Sequence, residues 1–285
     1  MSARPPAVRV ICVTFNPGPE LASFAASLRT ATNAPVHLVL VDNGQDRTVV
    51  EQVAREHGAR VLRTGQNLGY GRAANLGAAD ADQDWLVVVN PDIVWHPGSL
   101  DTLLEAGAAH PEAGSLGPAI LDPDGTRYPS ARALPSLTQG AGHALLGSIW
   151  PGNPWTRAYR RTQESTTDRR RPAGWLSGAC LVLRTEAFRQ VGGFDEAYFM
   201  FFEDLDLGER LGRAGWVNLH VPAAQVTHVG GTSWRARPAA MISAHHASAA
   251  RYLSRRYHRP HQWPVRVALR AGLRVREALE LRAAR

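Results

Sequence analysis

Apolar residues follow two alternating rhythms through the N-terminal half of the chain. Short unbroken runs, rich in β-branched residues, span 8–14, 36–41, 60–62 and 85–89. Between them lie stretches whose apolar residues return every three or four positions, at 21–28, 48–57, 70–79 and 100–109, the last opened by Pro97-Gly98-Ser99. Unbroken runs of strand length are buried on both faces, and the intervening spacing is helical. The alternation therefore predicts an α/β chain with a mixed, mostly parallel sheet wrapped by helices. Residues 116–121 and 126–128 flank Asp122-Pro123-Asp124-Gly125, which reads as a hairpin turn rather than a pair of metal-binding carboxylates. Regular structure resumes with a strand at 175–184, a helix at 205–214 and a strand at 216–221. Helical spacing returns at 239–257 and 265–282, separated by Arg259-Pro260. No internal repeat is present.

Between 131 and 171 the rhythm is lost in a segment rich in Pro, Gly, Trp and Arg. Its aromatic residues are unlike disordered sequence, and long irregular segments inside domains are commonly functional, so we read it as a loop covering a substrate. The chain of 285 residues divides into a large domain over 1–234 and an extension over 235–285. The extension carries twelve arginines against Glu277 and Glu280, a balance of +10, whereas the remainder carries 20 arginines against 23 acids, a balance of −3. Its helical pattern sets Leu269 and Leu273 on one face, with Arg266, Arg270 and Arg274 recurring every fourth residue beside it. That is the pattern of helices lying on anionic membranes; a solvated helix or a homodimer contact would share it. No nucleic-acid-binding motif accompanies the charge, and no nucleic acid is expected. The first residues lack a signal-peptide core and no apolar run approaches ~20 residues, so a cytoplasmic location is expected. Cys12 and Cys180 fall within apolar strands and read as core residues.

Candidate chemistry gathers where strands end, which in open α/β sheets is where ligands bind. Thr14-Phe15-Asn16, Asp42-Asn43 and Asn90-Pro91-Asp92 each close a strand with polar residues. Asp42 suits a pyrimidine N–H or a ribose hydroxyl, or it caps a strand-to-helix turn; the Thr14 backbone suits a base. In Gln66-Asn67-Leu68-Gly69-Tyr70-Gly71-Arg72-Ala73-Ala74-Asn75, glycines at a helix start permit close approach of a diphosphate, with Arg72 supplying charge, or serve packing alone. Asp92 is a hard oxygen ligand for Mg²⁺ or Mn²⁺ shared with a diphosphate, and His228, at another strand end, could complete the coordination. Glu203, Asp204 and Asp206 crowd three carboxylates into a helix start. Such crowding favours an acid/base task, with Asp204 as general base and Glu203 and Asp206 positioning it or the acceptor.

These segments together resemble the inverting family 2 glycosyltransferases of the GT-A fold. The carriers are Val13-Thr14-Phe15-Asn16, Asp42-Asn43-Gly44, the glycine-rich stretch from Asn67 to Asn75, Asn90-Pro91-Asp92, Gly174-Trp175-Leu176-Ser177-Gly178 and Phe202-Glu203-Asp204-Leu205-Asp206. Asn-Pro-Asp in place of Asp-x-Asp, with Tyr128-Pro129-Ser130-Ala131-Arg132 and Trp150-Pro151-Gly152-Asn153-Pro154-Trp155, is similar to the actinobacterial rhamnosyltransferases of cell-wall linker synthesis. That family moves L-rhamnose from dTDP-L-rhamnose onto polyprenyl-diphospho-GlcNAc. The resemblance implies donor contacts at Thr14, Asn16, Asp42, Asn67, Gly69, Arg72, Asn75, Asn90 and Gly178. It also implies Mg²⁺ or Mn²⁺ on Asp92 and His228, proton removal by Asp204 in a single displacement, and peripheral attachment to the inner face of the plasma membrane. Competing readings are a transferase using UDP-GlcNAc or UDP-galactofuranose, and a binding module on a membrane or nucleic acid that kept the fold without the activity.

Overall fold

The computed structural model describes residues 7–135, 169–230 and 238–283. Twelve strands form as β1 (Val8–Thr14), β2 (Val36–Asp42), β3 (Arg60–Arg63), β4 (Trp85–Val89), β5 (Ile93–Trp95), β6 (Ala113–Leu121), β7 (Arg127–Tyr128), β8 (Ala131–Arg132), β9 (Arg171–Ala173), β10 (Trp175–Leu176), β11 (Cys180–Arg184) and β12 (Val217–His228). The helices are α1 (Glu20–Ala31), α2 (Thr48–His57), α3 (Tyr70–Ala78), α4 (Ser99–Ala109), α5 (Thr185–Gln190), α6 (Glu203–Arg213), α7 (Pro238–Arg256) and α8 (Trp263–Ala283).

The main sheet runs β3-β2-β1-β4-β11-β6-β12-β5, with β7 on β6 and β9 on β12. Its first four strands are parallel, β11 lies antiparallel between β4 and β6, and β12 pairs parallel with β6. Alternate residues of β1 and β4 enter two cores. Val10, Cys12, Val87 and Val89 meet α1 and α4, while Ile11, Val13, Leu86 and Val88 share the other core with residues of α3 and α6. This two-sided burial is why those strands read as unbroken apolar runs. Both cysteines are buried and free, and burial pushes both thiols up, so they are inert core residues as expected.

Two elements depart from the sequence expectation. The strand expected over 175–184 is broken at Ser177-Gly178-Ala179: β10 pairs with β8 in a separate two-stranded sheet, and only β11 joins the main sheet. The strand expected over 216–221 continues to His228 through an irregularity between Val221 and Gln225. Pro222, which has no N–H to give the ladder, lies in that irregularity. The turn at Asp122-Pro123-Asp124-Gly125 forms as expected, closed by Gly125 N–H to Asp122 O at 2.9 Å and Asp122 N–H to Thr126 O at 2.8 Å. Helices α7 and α8 form an antiparallel hairpin, linking His246 to Glu280 and Ser254 to Arg270. The centre of the irregular loop, residues 136–168, lies outside the described residues, and its substrate-covering role stays with the sequence reading.

Candidate functional site

Strand direction brings the chemistry to one edge. Because β11 is antiparallel to both β4 and β6, its N-terminal end lies beside the C-terminal end of β4, and Cys180 is opposite Val89. Since β12 runs with β6, its last residue, His228, emerges at the same edge. Thr14, Asp42, Asn90, Asp92, Gly178 and His228 are thus assembled there from five strands.

Several expected donor-binding side chains are occupied with holding the site's own backbone. Thr14 is buried, with its hydroxyl on Val41 O at 3.4 Å and its carbonyl accepting from Asn43 N at 2.9 Å. Asp42, also buried, accepts from Gly44 N at 3.0 Å, the turn-forming bond weighed from sequence. Asn16, in the left-handed region at φ 46°, accepts from Gln45 N at 2.8 Å and Asp46 N at 3.1 Å, tying the end of β1 to the turn after β2. Asn67 accepts from Gly69 N at 3.0 Å. Gly69, at φ 84°, passes so close to Phe199 that an added Cβ would lie 2.1 Å from the Phe199 carbonyl oxygen; no other residue fits. Gly71 and Gly77 likewise press α3 against Phe194 and Ile11, so packing accounts for these two glycines. Asn75 grips the backbone of Phe194, donating to its carbonyl and accepting from its N–H, both at 2.9 Å. Arg72 is about half exposed and meets Glu196 at 3.4 Å.

At the metal corner, Asp92 Oδ2 accepts from Gly230 N at 3.1 Å, and Asp92 Oδ1 lies 3.1 Å from His228 Nε2. That Oδ1 is buried and has no hydrogen-bond donor, and Asn90 Nδ2 lies 3.4 Å from the same His228 nitrogen. A buried carboxylate oxygen turned towards an imidazole nitrogen suits a divalent cation. Among the described residues no group of three or more His, Cys, Asp or Glu could hold a metal. Two protein ligands leave room for a substrate diphosphate and water, as is usual for Mg²⁺.

The base corner is more elaborate. Phe201 and Phe202 occupy the left-handed region at φ 67° and 65°, a conformation that costs bulky residues about 1 kcal/mol or more each. The turn they make aims the start of α6 at Gly178. Asp204 Oδ2 accepts from Gly178 N at 2.8 Å and Oδ1 from its own neighbour Leu205 N at 2.8 Å. The Gly178 carbonyl accepts from Tyr70 OH at 2.5 Å, joining α3 to the same turn. Burial raises the Asp204 carboxyl above its ordinary value, opposed by the Gly178 and Leu205 N–H groups and by Arg132. Glu203 is buried with Oε2 unpartnered, and burial, then the Asp204 charge, hold it well above the usual carboxylate range. Asp204 accepts two backbone N–H groups at 2.8 Å whereas Glu203 keeps one oxygen without a partner, so a negative charge on the pair is better held by Asp204.

Asp206 does not face this corner. It bonds to Arg210 at 2.6 Å and approaches Arg255 of α7 at 3.5 Å. Sequence proximity placed it with the pair, but its position two residues beyond Asp204 turns it to another side of the helix. Helix α7 in fact braces the whole turn that precedes α6. Ser248 donates to Met200 O at 2.7 Å, His245 packs edge-on against Phe201 and Phe202, and Arg251 and Arg255 hold Asp195. Two further contributors were not among the expected site residues. Asn43 accepts from Leu68 N at 3.3 Å and donates to Gly69 O at 3.1 Å, fastening the glycine-rich turn. Arg132, stacked 5.3 Å from both Tyr128 and Trp175, is the positive charge that acts on Asp204. Asn43 was visible as a strand-end polar residue, whereas nothing in the sequence links Arg132 to Asp204.

Residues 5–243 match the family model described as "Glycosyltransferase like family 2". The N-acetylglucosaminyl-diphospho-decaprenol L-rhamnosyltransferase of Mycobacterium tuberculosis is 50% identical, over 96% of this chain and 92% of that protein. Rhamnosyltransferase WbbL of Escherichia coli is 27% identical over 76% and 82% of the two chains. Among solved structures, the mannosyltransferase PcManGT of Pyrobaculum calidifontis, in complex with GDP-Man and Mn²⁺, aligns with a TM-score of 0.56 at 18% identity, over 99% of this chain and 74% of that one. GalNAc-T7 with UDP, GalNAc and Mn²⁺ aligns at 0.58 and 16% identity, over 80% and 44%. At such identities the structural likeness bears on the fold alone, which is the GT-A fold expected from the sequence.

Proposed function

Because this chain belongs to glycosyltransferase family 2, we propose that it transfers L-rhamnose from dTDP-L-rhamnose to a polyprenyl-diphospho-GlcNAc in one inverting displacement. Membership of the family makes it a glycosyltransferase; the sugar, acceptor and residue roles are the proposal. The observation that carries the chemistry is Asp204, a carboxyl group fixed by Gly178 N–H at the strand edge that also bears Asp92. The identity to the mycobacterial rhamnosyltransferase, spread over nearly the whole of both chains, favours the rhamnosyl donor and lipid-linked acceptor over UDP-sugars.

In this reading Asp204 takes the proton from the attacking GlcNAc hydroxyl, and Glu203, kept neutral, leaves Asp204 as the one local charge. Arg132 and the Gly178 N–H keep the carboxylate oriented. Asp92 and His228 would hold Mg²⁺ or Mn²⁺, which when bound neutralises charge on the leaving nucleoside diphosphate. Thr14, Asn16, Asp42, Asn67, Gly69, Asn75 and Asn90 shape the donor side chiefly by fixing backbone, and Arg72 would leave Glu196 to meet the diphosphate. Residues 1–234 form the transferase domain, with 235–285 as its extension. A prenyl-linked acceptor sets the reaction at the cytoplasmic face of a membrane, to which the chain attaches peripherally. No helix among the described residues is long and apolar enough to cross a membrane.

The test incubates the protein with Mg²⁺ or Mn²⁺, a short prenyl-diphospho-GlcNAc, and dTDP-L-rhamnose or UDP-sugars in parallel, following the lipid product by mass spectrometry. Rhamnose addition that is lost in Asp204→Asn supports donor, acceptor and base together. Transfer only from a UDP-sugar would remove the rhamnosyl assignment and leave the chemistry.

A further inference from the structure

The structure turns the C-terminal helix inside out relative to the face its sequence advertises. Leu269 and Leu273 are half-buried, and Leu273 lines a cleft of about 490 Å³ between α7 and α8. Glu280 bonds to His246 of α7, and Arg266 donates back to Tyr257 O at 2.9 Å, so these residues mark the side of α8 turned to the protein. At 3.6 residues per turn, Val267, Ala271, Val275, Ala278 and Leu279 fall on the opposite side. Val267, Val275 and Leu279 are 56%, 62% and 59% exposed, far more than side chains of a packed helix. Exposed apolar surface gathered along one helix face marks an interaction site rather than ordinary surface.

The borders of this face are basic. Arg270 and Arg274 run along one side, with Trp263, 60% exposed, beside them; Arg276 lies on the other side and Arg282 at the end. Arg270 donates to Ser254 Oγ at 3.2 Å, and among the described residues neither it nor Arg274 forms a salt bridge. Both also line the α7–α8 cleft, with Arg251 and Arg255 on its far wall. An apolar strip bordered on one side by arginines that form no salt bridge among the described residues and on the other by Arg276, which bonds to Glu280, with a tryptophan at the boundary, is complementary to a bilayer surface bearing anionic phosphates. A second copy of the chain would set like-charged borders against one another.

We propose that α8 lies in the plane of an anionic bilayer, its outward face of Val267, Val275 and Leu279 sunk among the acyl chains and Arg270 and Arg274 at the level of the lipid phosphates. The inference deepens the reading of a lipid-linked acceptor and rests on it. Since α7 ties α8 to the catalytic turn, this anchorage would fix the site relative to the membrane surface from which the acceptor projects.

The experiment is co-sedimentation of the full chain with vesicles of phosphatidylcholine alone or with 30% (roughly) phosphatidylglycerol at physiological salt, where surface charge still acts. The expected result is binding to the anionic vesicles only, weakened at least roughly tenfold in Val275→Asp/Leu279→Asp and in Arg270→Glu/Arg274→Glu. These positions are exposed, so both variants should keep the parent melting temperature and transfer to a short, water-soluble acceptor. Transfer to a long-chain acceptor embedded in the vesicles should fall in parallel with binding. Equal binding of parent and variants, no binding of the parent, or a dimer in light scattering that Val275→Asp/Leu279→Asp dissociates would each overturn the proposal. Absence of transfer with vesicle binding intact would instead fall on the proposed function.

Discussion

Four acids on α6 are treated in two opposite ways. Among the described residues, Glu203 and Asp204 meet no arginine within bonding distance: Glu203 has an unpartnered oxygen, and Asp204 rests on backbone N–H groups. Asp206 is held by Arg210 and Arg255, and Glu209 by Arg213 and Arg256, with Tyr252 OH donating at 2.7 Å. One pair is kept uncompensated and can exchange a proton; the other is neutralised and fastens α7 to the domain. The difference lies in which face of one helix each residue occupies: the pair facing Gly178 lacks the bonded arginines that hold Asp206 and Glu209.

Removing the reactive charge should have the largest effect. Asp204→Asn keeps the shape and the Gly178 contact through its amide oxygen, and should lower kcat by about 10³-fold with little change in melting temperature; a modest loss would mean that the base lies elsewhere. Breaking the fastened pair should do the reverse. Asp206→Asn leaves Arg210 without its carboxylate, while Arg255 keeps Asp195, and should cost about 3 kcal/mol of stability by denaturant titration. The folded fraction should retain its turnover.

His220 extends the comparison to a buried group with no proposed part in the chemistry. Burial, then Arg171, holds its pKa down to about 4, against 6.5 for the free side chain. The folded protein thus refuses a proton that the unfolded chain accepts. Stability is complete above pH 6.5 and declines as pH falls towards 4, by about 3 kcal/mol in all. His220→Leu should flatten that slope in chemical denaturation at successive pH values. The smallest effect belongs to Glu203→Gln. If Glu203 is neutral at working pH, its amide should change kcat less than about threefold while removing the loss of stability that the raised carboxyl brings as pH rises from 4.5 to about 8, since raised acids are favourable only while protonated.

Much of the first half was legible because the signals are local. Thr48–His57 and Trp85–Val89 form with the bounds read from their periodicity, and Asp122-Pro123-Asp124-Gly125 turns as its residue types require. The edge where the candidate residues gather was also legible, since strand ends can be read from the sequence. What escaped was relational. That Arg72 meets Glu196, that Asn75 grips Phe194 and that Asp206 turns to α7 are all contacts between distant segments, invisible to spacing. The reversal of β11 escaped for the same reason, as a strand's direction is set by its neighbours. In α8 the apolar residues are spread around much of the helix, so only docking against α7 decides which of them face outwards.

The left-handed turn at Phe201 and Phe202 has a consequence for the order in which the enzyme comes into being. Every strand of the main sheet precedes α7 in the chain, so a polypeptide emerging from the ribosome can complete its sheet while the helix that braces this turn is still unmade. Until His245, Ser248 and Arg251 arrive, the backbone cost of aiming Asp204 at Gly178 is offset only by contacts within the rest of the domain, such as Tyr70 N–H on Phe199 O. The turn that carries the proposed base therefore gains these braces only once α7 is made, together with the hairpin whose second helix is proposed to seat the protein on a membrane.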